Sequence, residues 1–71
     1  MVALNDLIEV NPRKLGGVPV LKSTRFSIGQ LLSELADSAA VSEVASDFEL
    51  DEEQVRQTLH ALAVFLNHPD M

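Results

Sequence analysis

The chain has 71 residues, 46% of them hydrophobic and 23% charged, with a formal net charge of −6, no cysteine and neither Trp nor Tyr. That length holds one domain, the apolar content excludes a disordered polypeptide, and the missing cysteines exclude a disulfide or thiolate-zinc staple. A core this small buries only about 60% of the unfolded surface, so a homodimer is the expected source of further stability.

The first 28 residues carry Arg13, Lys14, Lys22 and Arg25 against Asp6 and Glu9, whereas residues 29–71 carry Arg56 alone against nine acids. The chain is therefore basic at one end and acidic at the other. This suits an anionic partner for the first part and a basic partner for the second, or simply solvated helix faces. Residues 7–10 (LIEV) and 18–21 (VPVL) read as short strands, the second shortened by Pro19. Asn11-Pro12 and Gly16-Gly17 punctuate the loop between them, and residues 24–28 (TRFSI) alternate as a third short strand. Together, residues 1–28 form an N-terminal β arm of the single domain, and residues 27–71 its helical part.

Ser27, followed by Gln30 three residues later, forms a capping box that opens a first helix. Ile28, Leu31, Leu32 and Leu35 make its apolar face, and it closes near Asp37-Ser38, with Ala39-Ala40 as its boundary. A second, short helix begins near Ser42, a natural N-cap, and places Val44, Ala45 and Phe48 on one side. After a turn at Glu49–Asp51, a third helix opens with Asp51 as capping acceptor and with Glu52 and Glu53 in the turn that the helix dipole favours for acids. Val55, Leu59, Leu62 and Leu66 form its stripe, widened by Ala61, Val64 and Phe65. Asn67-His68-Pro69 ends it. Short helix, tight turn and long helix give helix-turn-helix order.

Arg56, Gln57 and His60 share the outer face of this third helix. In a major groove, Arg would read guanine and Gln adenine, although Glu52 and Glu53 would repel phosphates from the same helix end. Arg13, Lys14, Lys22 and Arg25 are the candidate phosphate contacts; the bland alternative is a charged strand edge that blocks aggregation. The acidic run from Asp47 to Glu53 lacks the glycine and the bidentate acid of a calcium loop. His60 and His68 lack further ligands for a metal site. No cofactor, small-molecule substrate or catalytic set is expected, hence no enzyme. The longest apolar run is too short to span a bilayer and the N-terminus lacks a secretory pattern, so a cytoplasmic protein is expected.

The stretch Asn11-Pro12 with Gly16-Gly17-Val18-Pro19-Val20-Leu21-Lys22-Ser23-Thr24-Arg25-Phe26-Ser27-Ile28 resembles the bacterial domain-of-unknown-function family 433. The helical half continues the resemblance through Ser42–Leu50 and Asp51–Leu59. Asn11 stands where that pattern has Asp, Val18 where it has Lys, Ser23 where it has Gly, and Ala39-Ala40 near where it tends to have Gly. The resemblance implies a mainly α, homeodomain-like three-helix bundle with an N-terminal β arm that supports dimerisation. It also implies an antitoxin that binds a PIN-like ribonuclease toxin and its own promoter DNA, with Lys22, Thr24 and Arg25 as signature arm residues. A stand-alone dimeric DNA-binding regulator is the alternative, and an adaptor that binds no nucleic acid is a third reading.

Overall fold

The structure, a computed structural model, describes residues 4–37 and 40–67. The first helix ends as expected with Asp37 as its C-cap and the third with Asn67; Ser38 and Ala39 of the expected boundaries, and His68-Pro69, lie outside the described residues. A 3-10 turn at Leu4–Asp6 leads into β1 (Ile8–Glu9), a glycine turn at Leu15–Gly17, β2 (Val20–Leu21), α1 (Ile28–Ala36), α2 (Val41–Asp47) and α3 (Glu52–Leu66). The molecule is mainly α, three helices with an N-terminal hairpin, as the sequence implies.

β1 and β2 pair antiparallel, Ile8 opposite Leu21 and Glu9 opposite Val20. Both are shorter than the apolar runs that announce them. The expected third strand at residues 24–28 reduces to a single bridge between Val20 and Ser27. Residues 22–25 are consumed by a tight turn, in which Thr24 N–H donates to the Leu21 carbonyl at 3.0 Å, and the helix already begins at Ile28. That bridge nevertheless matters. The Leu21 N–H donates to Phe26 O and the Ile28 N–H to Pro19 O, each at 3.0 Å, so β2 is flanked on both sides. Val20 and Leu21 are accordingly both fully buried, although their side chains point to opposite faces.

Ser27 caps α1 as expected, its Oγ accepting from the Gln30 N–H at 3.0 Å. Ile28 and Leu31 are buried and Leu35 packs against the core, but Leu32 is 48% exposed. The contact that α1 makes is thus narrower than its apolar face. Ser42 does not cap α2. Its N-cap is Ala40, which has no side-chain acceptor, and the Ala40 carbonyl takes both the Glu43 and Val44 N–H groups at 3.0 Å. Asp51 caps α3, its Oδ1 accepting from the N–H groups of Glu53 and Gln54.

The junction between α2 and α3 is a Schellman motif. Leu50 N–H reaches back to Ala45 O at 2.7 Å and Glu49 N–H to Ser46 O at 3.4 Å, with Glu49 at φ +56°. Phe48, expected on the buried side of α2, is its half-exposed C-cap and stacks at a tilt on Phe26, ring centres 4.8 Å apart. The core gathers Leu21, Ile28, Leu31, Val44 and Val55, bordered by Ile8, Phe26, Leu35, Val41, Leu50, Leu59 and Leu62. One polar side chain, Thr58, lies fully inside; its hydroxyl is satisfied by donating to Gln54 O at 2.7 Å.

Along α3 the apolar stripe loses cover. Val55 is buried, Leu59 and Leu62 are half-buried, and Leu66 is 64% exposed. Leu66 was expected to be interior by periodicity. Among the described residues, the last turns of α3 are left largely uncovered.

Candidate nucleic-acid and partner interface

The basic side chains of the arm surround the turn after β2, and the hydrogen bonds of that turn divide them into two groups. The Thr24 hydroxyl donates to Leu21 O at 2.7 Å and accepts from Phe26 N–H at 3.0 Å. Lys14 Nζ lies 3.0 Å from Glu9 Oε1 and 3.3 Å from Thr24 O. The same Glu9 oxygen accepts from the Ser23 N–H at 3.3 Å. The Lys14 hydrogen bond, then that from Ser23, holds the Glu9 carboxyl below the usual carboxylate range. Lys14 and Thr24, both expected to contact nucleic acid, therefore build the turn: the ammonium of one and the hydroxyl of the other are engaged inside the chain.

Lys22, Arg13 and Arg25 form the second group. All three are exposed, and none makes an ion pair among the described residues. The backbone beneath Lys22 is fixed on two sides. Its N–H donates to Leu7 O at 2.9 Å, and its carbonyl accepts from Gln54 Nε2 at 3.0 Å. Gln54 belongs to the first turn of α3, so the basic turn is fastened directly to the start of that helix. Sequence reasoning misses this clasp, because nothing in a lone glutamine signals a partner 32 residues away.

On α3, the expected base-reading face is largely committed to acids of its own helix. Arg56 pairs with Glu52 (Nη2 to Oε2 2.9 Å, Nε to Oε2 3.0 Å), and Gln57 Nε2 donates to Glu53 Oε2 at 3.3 Å. His60 is exposed. Exposed pairs at i, i+4 contribute only about 0.3–0.5 kcal/mol, so Arg56 could exchange partners. Glu52 and Glu53 would nonetheless stay beside any phosphate brought there. A shallow, open groove between Val41 and the flank of α3 is lined by Arg56, Leu59, His60 and Ala63.

The structure thus places Arg13, Lys22 and Arg25 on the arm surface and Arg56, Gln57 and His60 on a separate helix face, with Lys14 and Thr24 inside the framework. Among the described residues, no group of three His, Asp or Glu could hold a metal ion, and no helix is long and apolar enough to cross a membrane. No curated protein and no solved structure matches the chain. A family model does, the one described as protein of unknown function (DUF433), over residues 8–60.

Proposed function

Because the chain belongs to the DUF433 family, whose description assigns no activity, we propose, from the role that the resemblance implies and from the charge on its own surface, that it is a noncatalytic, homodimeric antitoxin-like protein. It binds a partner ribonuclease through its acidic helical half and its own promoter DNA through the arm. The observation that carries this reading is the separation of charge between the arm and the helices. Arg13, Lys22 and Arg25 are presented on the arm without ion-pair partners among the described residues, while Asp47, Glu49, Asp51, Glu52 and Glu53 crowd the α2–α3 junction and are all exposed.

Each half has a mechanism. A ribonuclease cleft that holds RNA is lined by cations; an acidic surface steers toward it and competes with phosphate there. On DNA, three cations per chain give about six phosphate contacts in a dimer. The observed binding constant then falls with salt at a logarithmic slope of roughly −5. A stand-alone regulator is the second reading, favoured by the commitment of Lys14 and Thr24 to shaping a turn that displays Lys22 and Arg25.

The test is co-purification of the tagged chain with the product of the neighbouring reading frame, followed by a ribonuclease assay. A stoichiometric complex with silenced activity supports the antitoxin reading. Recovery of the chain alone, with salt-sensitive binding to its promoter, replaces it by the regulator reading. Arg25→Ala is expected to abolish promoter binding and leave inhibition intact; loss of inhibition in the folded variant would remove the arm from its DNA role.

A further inference from the structure

From Gln57 to Pro69 the chain has no Asp, Glu, Lys or Arg, its longest stretch without one. Within it, Ala61–Leu66 are six consecutive apolar residues at the end of α3. Six consecutive positions encircle a helix, so these turns have no polar face to give to water, and a helix that is apolar all round is a buried one. Here it is not buried: Val64 and Phe65 are each 51% exposed and Leu66 64%.

We propose that these last turns of α3 are the homodimer contact, packed against the same turns of a second copy of this chain. The inference rests on the homodimer in the reading above and on nothing else in it. A second copy is singled out by charge. A two-fold contact brings a patch onto itself, so every charged group near it faces its own like. On a chain of net charge −6 most faces repel their copy; the end of α3 does not. With two helices crossing antiparallel near Ala63, the Glu53 side chains stand about 30 Å apart at 1.5 Å per residue, well beyond the screening length of about 8 Å at physiological salt. The stripe Val55–Leu59–Leu62–Leu66 supplies the packing, since its final member continues the core past the end of the monomer. The arm is the rival surface. Its exposed Val10, Leu15 and Val18 are interrupted in sequence by Arg13 and Lys14, and a two-fold contact there sets Arg13 against its copy. The proposed surface also lies beyond residue 60, where the family match stops.

Sedimentation of the purified full chain, with no partner added, tests this. The wild type is expected at twice the 7.7 kDa chain mass, and Phe65→Glu is expected to weaken association by more than about thirtyfold while keeping the helical circular dichroism. As the chain has no cysteine, Ala63→Cys, at the crossing point, and Val18→Cys each place one thiol at a rival surface. Under mild oxidation the first is expected to form a disulfide-linked dimer and the second to form no covalent link, which decides the matter even where Phe65→Glu fails to fold. A monomeric wild type, a dimeric Phe65→Glu, or cross-linking through Val18→Cys in place of Ala63→Cys would each overturn the assignment. A dimer joined elsewhere would leave the nuclease reading untouched, and loss of nuclease binding would leave this surface untouched.

Discussion

Among the described residues, three other than glycine, Leu15, Ser23 and Glu49, have positive φ, at +51°, +66° and +56°. An L-residue there meets its own carbonyl, at a cost of roughly 1–2 kcal/mol. Glycine avoids the clash but loses more conformational entropy on folding, by about 0.5–1 kcal/mol. At Glu49 the Schellman hydrogen bonds fix the backbone and the side chain is exposed, so Glu49→Gly is expected to stabilise the protein by about 0.5–1 kcal/mol, read as a raised denaturation midpoint at unchanged m-value. Ser23 occupies the position where the resembling pattern has glycine, and its φ gives the reason. Glu9 yields a prediction in pH. Its carboxyl ionises more readily in the folded chain, through Lys14 first and the Ser23 N–H second. Its contribution is therefore fully present above the ordinary carboxylate pKa and disappears as pH falls through that value to the lowered one. In paired urea titrations, the stability gap between wild type and Glu9→Gln is expected to narrow across that acidic window; a constant gap would show that the ion pair does not couple to folding.

At the scale of elements, caps separate α2 from α3. Asp51→Ala is expected to cost about 1 kcal/mol, because two N–H groups lose their acceptor. Ser42→Ala, at a position that reads in sequence as a cap, is expected to change stability by less than about 0.5 kcal/mol, since Ser42 lies within α2 and Ala40 precedes the helix. Thermal melts of the two variants would reverse in order if Ser42 were the cap. The helices were legible because their signals are local: a capping residue, a 3.6-residue period, an acid in the first turn. The start of α2 was misplaced because a backbone carbonyl serves there with no side chain to announce it. The site was legible only in part for the same reason. Clustered cations can be counted in a sequence, but whether one is free depends on closure of the chain. Lys14 is bonded to the Thr24 carbonyl and Glu9 to the Ser23 N–H only because the hairpin brings residues far apart in sequence together. Likewise Leu66 keeps the period of the stripe, and periodicity does not say where the supporting elements stop.

At the scale of the molecule, one core serves both charged halves. Val55→Ala is expected to cost about 2–3 kcal/mol, as it opens a void where the arm, α1 and α2 meet α3. A chain of this size has little stability to lose, so arm and helices are expected to unfold in a single transition. Circular dichroism at helical and near-ultraviolet wavelengths would give coincident midpoints; separated ones would make the arm an independent unit. The arm is bound to the rest by Leu21 within the core, by Phe26 stacked on Phe48 and by the Lys22 carbonyl held by Gln54, and its Leu4–Asp6 turn also touches α3. The consequence concerns how such a protein can be altered. An appended tail can be cut off, exchanged or grafted to redirect a protein to a new partner. Excising this arm would remove a wall of the interior and open the start of α3 to solvent. New binding preferences therefore have to be written one surface side chain at a time, at positions such as Arg13, Lys22 and Arg25, leaving Val20, Leu21, Thr24 and Phe26 as they are.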